Sequence, residues 1–172
     1  MCVLTRDEIL KELESGRLRI EPLEDLSQIG PASIDLHLGH EIRVPVPHRG
    51  GPIHVLEDAQ LEPETEVIRV QDHYVIAPGQ TVHGITRERL HLPSNLCAWI
   101  EGRSWIARLG LMVHVTAGFV QPGVSNHQVL EMSNVSAAPL AVHPGLRICQ
   151  IVLERTEGHA VYRGRFAEQD SP

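Results

Sequence analysis

Aromatic residues make up only 3% of this 172-residue chain. Val, Ile, Leu and Ala must therefore fill whatever core it builds. Lysine is nearly missing: of fifteen basic residues one is Lys11, which leaves fourteen arginines. Any grip on an anion is then a guanidinium grip, forked and directional. The three cysteines, Cys2, Cys97 and Cys149, are odd in number and far apart, which argues against a disulfide framework and against a Cys-x-x-Cys metal site. Incidental or buried thiols are the expectation. No apolar run is long enough to span a bilayer, and the opening MCVLTRDEILKELE turns charged too early for a secretory signal. The chain therefore reads as soluble and cytoplasmic, with no membrane contact. A basic face is lacking as well: the formal net charge is -7, which argues against a nucleic-acid partner.

What is present suits a single domain over residues 1–172, because 42% hydrophobic content at this length supports one core. Thr5-Arg6-Asp7-Glu8 reads as a capping box ahead of Ile9, Leu10 and Leu13, with Gly16 as a stop, so residues 5–15 form a short amphipathic helix. From residue 33 the period changes to two. Ile34, Leu36 and Leu38 alternate with Asp35, His37 and Gly39, and strand patterning continues to Val46. Residues 47–53 are a loop, and 57–66 are acidic and exposed. Short strands follow at 67–70, 73–76, 81–86, 96–100, 112–120, 127–133, 139–142 and 147–154, divided by Pro78-Gly79, Pro122-Gly123 and Pro144-Gly145. This spacing indicates a sandwich, jelly roll or barrel. Ser104 to Leu109, closed by Gly110, is one or two inserted helical turns. The polar tail, 157–172, is expected to be mobile when free.

Several segments could carry chemistry. In Glu101-Gly102-Arg103-Ser104-Trp105-Ile106-Ala107-Arg108, a helix start suits an anion, with Ser104 and Arg108 four apart on one face. Taken alone it reads rather as a helix cap with two solvated arginines. Pro31-Ala32-Ser33-Ile34-Asp35-Leu36 reads in isolation as a turn carboxylate capping local amides. The small residues Thr116, Ala117 and Gly118 would let a ligand approach the backbone. In Val129-Leu130-Glu131-Met132, Val129 and Glu131 share one strand face, and Leu130 and Met132 the other. A carboxylate there is either exposed or held in a poorly solvated pocket, where it would titrate as a useful general base.

In their order, the segments PASIDL, EGRSWIARLGL, HVTAGF, VLEMSN and PGLRICQIV resemble those of dCTP deaminases, a branch of the dUTPase superfamily. The likeness is strongest from residue 77 to 153 and weak over 45–70 and after 155. It implies an all-β distorted barrel or jelly roll (dUTPase-like, β-clip), assembled as a homotrimer with active sites between subunits. It also implies roles. Glu131 would activate water for attack at C4 of cytosine, with Ser104 and Arg108 placing the water and stabilising charge. Arg103, Ser104 and the amides of Trp105, Ile106 and Ala107 would bind the triphosphate. His114, Val115, Thr116 and Ala117 would read the base edge and, in regulated members, shift between states, with dTTP the candidate inhibitor. Val129 and Leu130 complete the base contacts.

Mg2+ would accompany the triphosphate of dCTP or dUTP. Zinc is not expected, because neither Pro-Cys-x-x-Cys nor any His-x-Glu occurs.

The chain departs from the family pattern in several places. Trp105 stands where a second serine is usual, Gln121, beside the sugar, where an aspartate is usual, and Val124 where an aromatic is usual. Tyr162, Arg165, Phe166 and Gln169 look like a reduced form of the C-terminal residues that fold over the nucleotide. The resemblance implies a dCTP deaminase yielding dUTP and ammonia. A dNTP pyrophosphohydrolase, a bifunctional deaminase-dUTPase and a non-catalytic nucleotide-binding regulator are the alternatives.

Overall fold

The computed structural model describes residues 2–55, 64–114, 116–167 and 169–172. Most of the acidic stretch 57–66, and Val115, lie outside the described residues. Two helices, α1 (Arg6–Glu14) and α2 (Ser104–Ala107), accompany eleven strands. These are β1 (Arg19–Glu21), β2 (Ile34–Pro45), β3 (Thr65–Arg69), β4 (Tyr74–Ile76), β5 (Thr81–His91), β6 (Leu96–Gly102), β7 (Leu111–Val113), β8 (Phe119–Val120), β9 (Ser125–Asn134), β10 (Leu140–Val142) and β11 (Arg147–Arg155).

Helix α1 forms where the pattern placed it, but the capping box does not. Thr5 occupies the N-cap without a side-chain bond. Glu8 turns instead to Lys11, at 2.6 Å, and Arg155, at 3.3 Å. A reciprocal cap forms at the unforeseen 3-10 turn Leu26–Gln28. There the Asp25 carboxylate accepts from the Ser27 amide at 2.8 Å, and the Gln28 side chain accepts from the Asp25 amide at 3.4 Å.

Antiparallel pairing gives the strand order β7-β9-β5-β2-β11-β6-β8, with β1 added to β5 and β3 to β2; β4 and β10 make a separate pair. The two terminal strands, β7 and β8, are consecutive in sequence, joined by residues 114–118. Five residues span about 20 Å at most, so the sheet must curl until its ends approach each other. A Cβ on Gly102 of β6 would lie 3.6 Å from the Val113 carbonyl of β7, which places those ends together. The 112–120 segment read as one strand is thus two strands in different parts of the sheet. His114 is the reason. It is the one non-glycine described residue with positive φ, at 57°, and that turn ends β7.

The core lies inside the curl. Along β9, Leu130 and Met132 are fully buried, while Val129, Glu131 and Ser133 are half-buried on the outer face. Gly84 in β5 is required by this packing: a Cβ there would come within 2.8 Å of the Met132 and Leu38 side chains. Aliphatic burial of this kind contributes about 1.5–3 kcal/mol per large side chain, and among the described residues 31 hydrophobic residues are buried with only two aromatics, Tyr74 and Tyr162, packed against their cluster.

Candidate functional site

Glu131 sits in the middle of β9, facing outward. Across the β5–β9 ladder it pairs directly with His83, and on its other side the chain leaves β7 through His114. The His114 amide donates to the Glu131 carbonyl at 2.8 Å, and the Glu131 amide approaches His114 Nδ1 at 3.5 Å. The left-handed turn at His114 then brings Thr116 over the carboxylate, where its Oγ1 donates to Glu131 Oε2 at 2.9 Å. Such a backbone costs a non-glycine residue about 1 kcal/mol or more, so the surroundings hold it. The far end of the loop is stitched to β6: the Ile100 amide donates to the Gly118 carbonyl at 2.8 Å, and a Cβ on Gly118 would lie only 3.0 Å from the Ile100 carbonyl oxygen. The loop 114–118 is therefore pinned at both ends beside one carboxylate. Glu131 Oε1 has no hydrogen-bond partner among the described residues.

Helix α2 is a single turn. The amides of Ala107 and Arg108 donate to the Arg103 and Ser104 carbonyls, at 2.9 and 3.1 Å. Those of Ser104, Trp105 and Ile106 have no partner inside so short a helix. Ser104, Trp105, Ala107 and Arg108 are exposed; Ile106 is buried in the core, so it offers a ligand only its backbone. The same holds for Leu130. Arg103 does not point freely at solvent. Its guanidinium pairs with Asp35 of β2, and Arg147 of β11 reaches the same carboxylate oxygen at 3.8 Å. Asp35 is thus a shared anchor for two arginines rather than a turn cap. The local reading missed this because Arg103 and Arg147 are distant in sequence and meet Asp35 only through the β2–β11–β6 pairing. His83 was missed for the same reason, since only strand register sets it opposite Glu131.

Within one chain the structure joins Glu131, Thr116 and His114, but it makes no bond between Glu131 and Ser104 or Arg108 among the described residues. Gln121 is exposed after β8, and Val124 is buried, filling core space in place of the larger side chain expected there.

The tail lies back on its own chain. Tyr162 donates its amide to the Pro122 carbonyl at 2.9 Å, and a Cβ on Gly123, whose φ is 74°, would meet Val161 at 3.0 Å. Asn126 Nδ2 donates to the Phe166 carbonyl at 2.7 Å, and Gln169 exchanges backbone and side-chain bonds with His127 at 3.3 and 3.4 Å. Arg89 pairs with Asp170 at 2.5 Å. The Arg165 guanidinium lies 5.6 Å from the centre of the Phe166 ring. Tyr162, Gly123, Arg89 and Asp170 line a depression of about 420 Å³. Polar partners on β9 thus anchor a segment whose own composition suggested fraying.

Comparison with known proteins identifies the family of the chain. The model of the family described as dCTP deaminase-like matches residues 3–156. A protein of Methanobrevibacter smithii named dCTP deaminase, dUMP-forming, is 34% identical over all of this chain and 93% of its own length. A dCTP deaminase of Haloarcula marismortui is 42% identical over 87% of this chain and 78% of its own. Among solved structures, the 2'-deoxycytidine 5'-triphosphate deaminase of Agrobacterium tumefaciens superposes with a TM-score of 0.69 at 25% identity, over 90% of this chain. This chain spans 48% of that longer one. A family match over most of the length, on a curled all-β sheet carrying the five motifs in order, establishes that the chain belongs to the dCTP deaminase-like family.

Proposed function

We propose that the chain hydrolytically deaminates dCTP, with Glu131 as the general base. The observation that carries this reading is the half-buried Glu131 carboxylate, held by the Thr116 hydroxyl just after the left-handed turn at His114, with its second oxygen unpartnered among the described residues. The carboxylate takes a proton from water, hydroxide adds at C4 of cytosine, and the proton passes to the exocyclic amine, which leaves as ammonia. The products are dUTP and ammonia, with Mg2+ arriving as part of the MgdCTP substrate. Thr116 orients the carboxylate. Ser104 and Arg108 place the water and stabilise the charge growing on the base. Arg103, aimed by Asp35, and the first-turn amides of α2 take the phosphates. The base edge is read by the backbone of residues 115–117 and 129–130. Gln121 bonds the sugar hydroxyl, and Tyr162, Arg165 and Gln169 close over the nucleotide.

A homotrimer completes the site. Support comes from the apolar side chains the single chain leaves in water: Trp99 against Phe119, their rings tilted with centroids 4.9 Å apart, and Trp105, Leu109, Met112 and Val135 around α2 and β7. Glu131 of one copy and Ser104 and Arg108 of another would then share a cleft, and dTTP would compete for it.

Ammonia release from MgdCTP by the purified chain, set against Glu131→Gln, tests the chemistry. Equal release by both proteins would end the proposal. Mixing Glu131→Gln with Ser104→Ala subunits tests the sharing: activity returns if sites lie between copies and stays absent if each chain carries a whole site.

A second reading, deamination followed by cleavage to dUMP, is favoured by the dUMP-forming names of relatives covering the entire chain, among them the Methanobrevibacter protein. Against it stands Gln121, an amide that cannot act as a base. Pyrophosphate appearing in step with ammonia would select that reading.

A further inference from the structure

Outside this site, one group of side chains among the described residues has the makings of a metal centre. Asp72, His73 and His143 each present a ligand atom, and these atoms lie within 4.8 Å of one another. They sit where β3–β4 and β10–β11 are tied together. The β4–β10 register pairs Tyr74 with Val142, so the next residues outward, His73 and His143, face each other across the ladder. Their ring centroids are 5.4 Å apart. Between them stands the Asp72 carboxylate. One oxygen is 2.7 Å from His73 Nδ1 and the other 3.8 Å from His143 Nδ1.

The backbone on both sides is anchored. The Val70 amide donates to the His40 carbonyl at 2.7 Å, and Gly145, at φ 80°, donates to Leu38 at 2.7 Å while Leu146 closes a turn on the His143 carbonyl at 3.2 Å. The three side chains themselves are exposed and free to adjust. Tetrahedral zinc with bonds of about 2.0–2.1 Å sets its ligands about 3.3 Å apart, so a small rotamer change closes the set.

We propose that Asp72, His73 and His143 form a surface site for a borderline divalent transition metal, with Zn2+ the expected occupant. Two imidazoles and one carboxylate favour such an ion over Mg2+, which prefers oxygen ligands and keeps its waters. The site is thereby separate in kind from the Mg2+ carried by a nucleotide. Three protein ligands leave at least one position for water. The bound ion bridges the bend before β4 to the turn after β10. Local spacing could not show this, because seventy residues separate His73 from His143.

Full-length, chelator-treated protein at pH 7.5 would be titrated with Co2+ and followed by visible absorption, then with Zn2+ by calorimetry. We expect one ion per chain, and a thermal midpoint that rises with Zn2+ because only the folded chain presents the site. His143→Ala and His73→Ala should each weaken binding more than tenfold and abolish the thermal shift, while Asp72→Asn weakens binding less. Circular dichroism of each variant separates loss of the site from loss of the fold. A native chain that takes up no Co2+, or folded histidine variants that bind as well as the native chain, would overturn the proposal.

Discussion

Glu88 and Glu131 are both carboxylates on the same curled sheet, and they are treated in opposite ways. Glu88 is 1% exposed. Its oxygens accept from the His37 amide at 2.8 Å, from Gln28 Nε2 at 3.2 Å, and sit 2.5 Å from His37 Nδ1. Its capacity is spent on the fold. Glu131 lies on the outer face with one side-chain donor, Thr116, and an oxygen to spare among the described residues. A saturated carboxylate stabilises a structure, whereas a chemically useful one keeps an unpaired acceptor beside a space a ligand can enter. Asp35 lies between the two cases, since it is spent on holding Arg103 and Arg147.

Breaking this contrast should give effects of different kinds. Glu131→Gln is expected to lower deamination by about a hundred- to ten-thousand-fold while leaving the thermal midpoint unchanged; a matching loss of stability would make Glu131 structural. Glu88→Ala strands His37 and Gln28 donors in the core and should cost about 3 kcal/mol in denaturant titration, with activity kept by the folded fraction. Asp35→Asn should sharpen the intermediate case. With Arg103 released, KM for MgdCTP should rise about tenfold with little change in kcat, and a fall in kcat alone would contradict the anchoring role.

Two milder tests concern groups away from the cleft. Glu12, buried, pairs with Arg17 and with Arg155, both at 2.9 Å. Arg17 is the main cause holding its carboxyl below the usual range. A depressed folded value means its contribution is complete above the unfolded value, about pH 4.3, and is lost as pH falls through the folded one. Stability measured below about pH 4.3 should therefore decline less steeply in Glu12→Gln than in the native chain. Finally, burial pushes the Cys149 and Cys97 thiols up, strongly so for Cys149, while Cys2 is exposed. Maleimide should label one thiol per native chain, and all three only after unfolding.

Much of this was legible in local pattern. The two-residue period of β9 set Leu130 and Met132 on one face and Val129 and Glu131 on the other, because strand geometry alone dictates alternation. The α2 turn appeared within two residues of its expected span. Less legible were features whose partners are remote. The 112–120 run carries enough β-branched and apolar residues to read as one strand, and nothing local announces that His114 adopts a left-handed backbone. The Thr5–Glu8 capping box failed because Glu8 pairs instead with Lys11, three residues on, and with Arg155, far along the chain.

Sequence by itself determined the all-β class, the alternation of faces along β2 and β9 and the membership of a motif family, since each depends on neighbours a few residues apart. Tertiary structure alone decided that Thr116 caps Glu131, that His83 faces it, that Asp35 binds two arginines, and that His73 meets His143. Those contacts follow from strand register and sheet closure, which are set by the packing of the whole core and are not encoded in any single segment.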